Sequence, residues 1–212
     1  MSVFFAARFA VSAASPAAFP PDDRPEIAVV GRSNVGKSSA INALANRKRL
    51  AIASKTPGRT RTINFFELGS AARLVDLPGY GYAAVPYAVR ARWDKLVSAY
   101  FAGRRSLVAV VLLMDARRPL TEQDRRMLAW LRPFAARLLV LLSKSDRVSR
   151  AAAGAARLAV RRALAEEFGD AEVIAFSATR GTGVADARGL LEQWLGESGK
   201  KRAAGNLARS PK

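Results

Sequence analysis

The chain has 212 residues, half of them apolar, and a formal charge of +18, enough length for one domain with a sizeable core. It contains neither cysteine nor histidine. Disulfides, thiol nucleophiles, Cys/His zinc sites and histidine acid–base chemistry are therefore excluded, which leaves hydroxyls, carboxylates, Lys/Arg, backbone amides and hard metal ions to do any work.

The N-terminal stretch Met1–Pro21 is rich in Ser and Ala. No basic residue precedes its Val3–Phe5 apolar patch and Arg8 interrupts it, which argues against a secretory leader. Ile27–Val30 reads as a buried strand, followed by a helix over Ser38–Ala45. Thr62–Leu68 joins Arg73–Asp76 through Gly69-Ser70-Ala71-Ala72, too short for a crossover helix, so these two strands are expected to form an antiparallel hairpin. Val89, Trp93, Leu96, Val97 and Tyr100 recur at helical spacing. Leu107–Met114 is the next strand; it is the longest apolar run, and a bilayer needs roughly 20 residues. A cytoplasmic protein without a membrane partner is the expectation.

Thr121 followed by Asp124 has the spacing of a capping box opening a helix through Leu128 and Leu131. The strand Leu138–Leu142, the helix Ala151–Phe168, the strand Val173–Phe176 and the helix Val184–Leu195 complete the alternation. After Gly196 the chain is polar and basic. It is divided here into an N-terminal segment (1–23), one α/β domain (24–197) and a basic disordered tail (198–212).

Gly31-Arg32-Ser33-Asn34-Val35-Gly36-Lys37-Ser38 matches the phosphate-binding pattern G-x-x-x-x-G-K-[ST] between a strand and a helix, the placement in which it functions. Backbone N–H groups and the positive end of the helix face the phosphates, Lys37 reaches the β- and γ-phosphates, and the Ser38 hydroxyl is offered to Mg²⁺. Ser143-Lys144-Ser145-Asp146 follows a later strand and resembles the [NT]-K-x-D guanine motif, with Ser in place of Asn or Thr. The Asp146 carboxylate can accept two hydrogen bonds from guanine N1–H and its amino group, which adenine cannot supply. Ser143 keeps a hydroxyl able to tie this loop to the phosphate loop. Phe176-Ser177-Ala178 resembles the loop whose backbone contacts guanine O6.

Asp76-Leu77-Pro78-Gly79 matches D-x-x-G at a strand end. Asp76 would hold Mg²⁺ through water and the Gly79 N–H would bond the γ-phosphate. In the polar loop Lys55–Asn64 a threonine can join Mg²⁺ only while the γ-phosphate is present, making the loop a switch. Thr60 is the first choice, with Thr62 and Thr56 as rivals.

The segments GRSNVGKSSAINAL, SKTPGRTRTINFF, LVDLPGYGYA, SKSD and FSA, in this order, resemble the EngB (YihA/YsxC) family of bacterial Ras-like GTPases, among the TrmE-Era-EngA-EngB-septin-like P-loop GTPases. The resemblance covers roughly Pro25–Leu195. It implies a mostly parallel central sheet with one antiparallel strand and helices on both faces, and an additional N-terminal strand. It implies GTP contacts at Gly31–Ser38, at Gly58, Arg59, Thr60, Arg61 and Thr62, at Asp76–Gly79, Ser143–Asp146 and Phe176–Ala178, and Mg²⁺ on Ser38 and Thr60. Lys37, Thr60 and Gly79 would carry the catalytic stabilisation. The family implies a switch in large ribosomal subunit assembly, needed for normal cell division and septation.

Many Ras-like enzymes orient the attacking water with a Gln just after the D-x-x-G glycine; here that residue is Tyr80. Turnover is expected to be slow, on the order of 10⁻⁴ s⁻¹, and a GTP-dependent binding module with negligible turnover is the alternative. Related GTPases with Asn at the place of Asn34 use it to hold K⁺ beside the phosphates; otherwise Asn34 braces the loop. Basic pairs at Arg47–Arg49, Arg104–Arg105, Arg117–Arg118 and Arg125–Arg126, with the tail, are candidate contacts to ribosomal RNA. A monomer is expected.

Overall fold

The central apolar runs form strands because they are buried on both faces, as a sheet covered by crossover helices requires. In chain order the elements are β1 (Ala7–Ala13), β2 (Glu26–Gly31), α1 (Lys37–Leu44), β3 (Ile63–Leu68), β4 (Ala72–Asp76), α2 (Tyr87–Gly103), β5 (Leu107–Asp115), α3 (Glu122–Leu131), β6 (Leu138–Ser143), α4 (Arg150–Phe168), β7 (Glu172–Ala175) and α5 (Val184–Leu207). This computed structural model describes residues 1–52, 62–81, 87–135, 137–169 and 171–207.

The strands form one seven-stranded sheet in the order β1-β3-β4-β2-β5-β6-β7. β3 pairs antiparallel with both β1 and β4, and every other pairing is parallel. The expected hairpin is present, with Asn64 opposite Asp76 and Leu68 opposite Ala72. The expected extra strand is β1, which covers the β3 edge.

Alternation along the strands divides the core in two. Ile27, Val29, Val111, Leu113, Leu139 and Leu141 face Ile41 and Leu44 of α1 and Leu191 and Trp194 of α5. Ala28, Val30, Val110, Leu112, Val140 and Leu142 face Leu96 and Tyr100 of α2, Leu128 and Leu131 of α3, and Val160 and Leu164 of α4. Truncating one such fully buried leucine to alanine costs about 2–5 kcal/mol.

Helix starts follow local chemistry. Thr121 and Asp124 form the reciprocal capping box at α3, and the Ser149 hydroxyl accepts from Ala152 N–H at α4. The last helix is longer than its sequence pattern predicts, which is an end at Leu195 and a disordered tail over 198–212. α5 continues to Leu207. Gly196, Gly199 and Gly205 each cost a helix about 1 kcal/mol, but Glu197, Lys200, Lys201, Arg202, Ala203 and Ala204 between them are good helix formers.

The N-terminal segment is tied down from both sides. The Ser2 hydroxyl and Val3 N–H donate to Glu192 Oε1 of α5, at 2.5 and 2.9 Å, and Phe4 is fully buried.

Candidate nucleotide site

Because β2, β4, β5, β6 and β7 run parallel, the loops that leave their C-terminal ends share one edge of the sheet. The antiparallel β3 starts at that same edge. The topology thus collects the segments beginning at Arg32, Leu77, Ala116, Lys144 and Phe176, and the approach to β3 at Thr62.

The loop from Gly31 to Ser38 owes its shape to two left-handed residues, Asn34 at φ 61° and Gly36 at φ 104°. Gly36 also caps α1, whose first turn carries Lys37 and Ser38. Gly31 is required by packing: a Cβ there would lie 2.8 Å from Val35 Cγ1 and 3.1 Å from Leu113 Cβ. Lys37 Nζ pairs with Asp76 Oδ1, so the phosphate-loop cation and the D-x-x-G carboxylate meet. Gly79 passes so close that a Cβ would sit 3.3 Å from both Ser33 N and Cα. Beyond it the two chains pair: Ser33 N–H donates to Tyr80 O at 3.0 Å and Tyr80 N–H to Gly31 O at 3.3 Å.

The β6 loop is joined to the phosphate loop by side chains. Ser143, buried at the end of β6, places its Oγ 2.7 Å from Val35 O and 3.1 Å from Met114 O. Lys144, left-handed at φ 58°, donates through Nζ to Asn34 O at 2.8 Å and to Asp115 Oδ2 at 3.0 Å. Asp115 is also gripped by Arg117, whose Nε and NH2 donate to its two oxygens at 2.9 and 2.7 Å. Arg117, and after it Lys144, hold the Asp115 carboxyl far below the usual range against the opposing effect of burial.

Asp146 stands exposed in the short 3₁₀ turn Ser145–Arg147. Its Oδ1 accepts from Ser177 Oγ at 2.6 Å, and this bond is the main cause of its lowered pKa. Ser177 itself is buried, with its hydroxyl also near Thr179 Oγ1 and Arg180 N–H. Ser145 N–H donates to Phe176 O at 3.1 Å, which binds the two loops through the backbone.

Of the sequence-derived site residues, Gly31–Ser38, Asp76–Gly79, Ser143–Asp146 and Phe176–Ala178 lie on this one edge. Gly58, Arg59, Thr60 and Arg61, and the rival Thr56, fall outside the described residues. Thr62 is described, and its hydroxyl accepts from Ser12 Oγ of β1 at 2.7 Å.

A family model described as "50S ribosome-binding GTPase" matches residues 26–144. The chain is 50% identical over 196 residues to "Probable GTP-binding protein EngB" of Azoarcus sp. (strain BH72), covering 92% of this chain and 94% of that one. The chain belongs to the EngB family of GTP-binding proteins. The EngB protein of Burkholderia thailandensis is 51% identical over 185 residues, covering 83% of this chain and 84% of that one. A crystal structure of a probable GTP-binding protein engB shares the fold at a TM-score of 0.63 and 24% identity, spanning 81% of this chain and 99% of that chain. An Aquifex aeolicus Era structure shares it at 0.62 and 19%, spanning 80% of this chain and 55% of that chain.

EngB membership makes the chain a GTP-binding protein of a GTPase family. The structure adds residues beside these loops that no sequence motif marks. Asp115 was missed although its register partner is Ser143, so the end of β5 had to lie beside the guanine-motif loop. From the sequence Asp124 reads only as a helix cap. One of the proposed RNA contacts needs correction as well. Arg104 is largely buried and donates to Glu26 and to Pro20 O, whereas Arg117 pairs with Asp115 and stays exposed.

Proposed function

We propose that the chain is a Mg²⁺-dependent, slow GTPase that switches with its nucleotide while acting on the large ribosomal subunit. The single observation that carries the guanine assignment is the Asp146 carboxylate, exposed, its pKa lowered by the Ser177 hydroxyl, and mounted on a loop fastened to the phosphate loop by Ser143 and Lys144. A carboxylate so placed accepts from a ring N–H and an amino group and rejects adenine, which has neither in that arrangement.

The donor set fits Mg²⁺. Among the described residues no group of three His, Cys, Asp or Glu side chains gathers into a metal cluster. Mg²⁺ in nucleotide sites takes one or two protein oxygens and relies on phosphates and water. The Ser38 hydroxyl and, through water, Asp76 would hold it, with Thr60 of the preceding loop as the third protein contributor. When bound, Mg²⁺ neutralises charge on the β- and γ-phosphates. K⁺ at Asn34 is the proposed additional cation; the exposed position of Asn34 supports it.

The chain's own residues position the nucleotide. Lys37, at the first turn of α1, would add a point charge at the transferred group, and the Gly79 N–H would report the γ-phosphate. Slow turnover is supported by Tyr80: the residue is only 6% exposed and its hydroxyl donates to Asp124 at 3.0 Å, so it orients no water. The same observation favours the second reading, a GTP-dependent binding module with negligible turnover.

The large subunit is proposed from the family description and from the +18 charge; roles in cell division and septation follow from the family alone. Cosedimentation with isolated ribosomal subunits, GTP against GDP and wild type against Lys37→Ala, tests the reading. Binding to the large subunit only with GTP and only in wild type is the expected result; nucleotide-independent pelleting would overturn it. Single-turnover hydrolysis, in K⁺ and in Na⁺, separates a slow enzyme from a module.

A further inference from the structure

Asp124 lies in α3, outside every nucleotide motif, yet it is completely buried. Its Oδ2 accepts from Thr121 N–H at 3.0 Å and Thr121 Oγ at 2.8 Å, the ordinary work of a capping box. Its Oδ1 does something a cap does not need. It accepts from Tyr80 Oη at 3.0 Å and lies 3.1 Å from Arg32 Nε, as an ion pair rather than an aligned hydrogen bond.

Tyr80 and Arg32 are the residues where the chain leaving β4 pairs with the chain leaving β2. They form a parallel bridge, flanked by the Ser33–Tyr80 and Tyr80–Gly31 backbone bonds. One oxygen of one buried carboxylate therefore holds both side chains of this bridge, and the bridge fixes the peptide of Gly79 against Ser33. The next residue, Gly81 at φ 84°, passes close over α3: a Cβ there would meet Gln123 Oε1.

We propose that Asp124 is a positioning residue for γ-phosphate recognition: acting through Tyr80 and Arg32, it sets the Gly79 N–H in place before the nucleotide binds. The inference rests on the GTP reading of the site. Without the tether the Gly79 peptide must be ordered by the γ-phosphate itself, so GTP loses affinity while GDP, which makes no contact there, does not.

The test uses the full chain and compares affinities for GDP and a non-hydrolysable GTP analogue in wild type, Tyr80→Phe, Asp124→Asn and Ser149→Ala. Tyr80→Phe keeps the buried ring and removes one bond, so it remains informative if Asp124→Asn melts. The analogue-to-GDP affinity ratio is expected to fall about tenfold in Tyr80→Phe, the scale of one hydrogen bond to a charged group. In Ser149→Ala, which weakens only the cap of α4 and touches neither Asp124 nor the bridge, it should stay within about twofold of wild type. A Tyr80→Phe ratio unchanged from wild type, or an equal fall in Ser149→Ala, would overturn the proposal while leaving guanine binding intact. A wild-type chain that binds neither nucleotide would remove the GTP reading and the inference together.

Discussion

At the N-terminal edge of the sheet Glu26 is fully buried, accepting from Tyr100 Oη at 2.9 Å and from Arg104, with Arg73 at 3.8 Å. At the C-terminal edge Asp146 stands exposed on a loop, held by the hydroxyl of Ser177. The first carboxylate has its charge answered from within the fold, by arginines that themselves donate to Pro20 O, Pro21 O and Asp23. The second is left with lone pairs facing outward. A charge satisfied internally stabilises a fold; a charge held in place but unsaturated is available to a ligand.

The sharpest way to break this contrast is Asp146→Asn. The amide keeps the shape but reverses one acceptor, so GTP affinity should fall on the order of 10²–10⁴-fold while xanthosine nucleotides gain. Calorimetric titration with GTP and XTP checks it, and unchanged preference would end the guanine assignment. The opposite edge responds differently. Glu26→Ala leaves Arg104 and Arg73 facing a buried gap and should cost about 3–5 kcal/mol of stability. Denaturant unfolding measures that loss, and the residue is too far from the loops for the surviving folded protein to bind GTP less well. A nucleotide-affinity change larger than the stability change would dissolve the distinction between the two edges.

Most of the fold was legible because the signals were redundant. β2, β5 and β6 are unbroken apolar runs, and the Thr121/Asp124 spacing located α3 to the residue. The phosphate loop and D-x-x-G were legible because their backbone demands, at Gly31, Gly36 and Gly79, can be met only by glycine or nearly so. What stayed hidden depends on pairings between distant segments. Nothing near Asp115 announces that it will anchor Lys144, and nothing near Asp124 announces Tyr80, because each partner comes from another strand's loop. Arg104 looks like an exposed partner of Arg105 for the same reason: its acceptor, Glu26, lies 78 residues earlier in the chain. The helical extent of α5 was hidden by its glycines.

Between the two extremes lies Ser143, buried like the N-terminal cluster but serving the loops. Its Oγ is shared between Val35 O and Met114 O, so Ser143→Ala leaves two buried carbonyls without that donor. The expected cost is about 1–2 kcal/mol, appearing both in unfolding free energy and in GTP affinity, since Val35 belongs to the phosphate loop. Loss of stability with full retention of affinity would show that the tie is structural only.

The smallest effect is expected from Ser177→Ala, and it sharpens the comparison most finely. The Ser177 hydroxyl is the leading cause of the lowered Asp146 pKa, from an ordinary value of 3.8. A depressed carboxyl contributes above its unfolded value and loses that contribution as pH falls through the folded one. Removing the hydroxyl raises the folded pKa toward 3.8, so protonation, and with it the loss of guanine acceptors, begins at a higher pH. A ¹³C titration of the Asp146 carboxyl in both variants, paired with GDP affinity over the same acidic range, reads this directly. The two midpoints should move upward together in Ser177→Ala while affinity at neutral pH changes little, because Asp146 is ionised in both. If the carboxyl midpoint moved and the binding midpoint did not, the Asp146 charge would be a bystander to base recognition, and the outward-facing edge would owe its specificity to backbone groups instead.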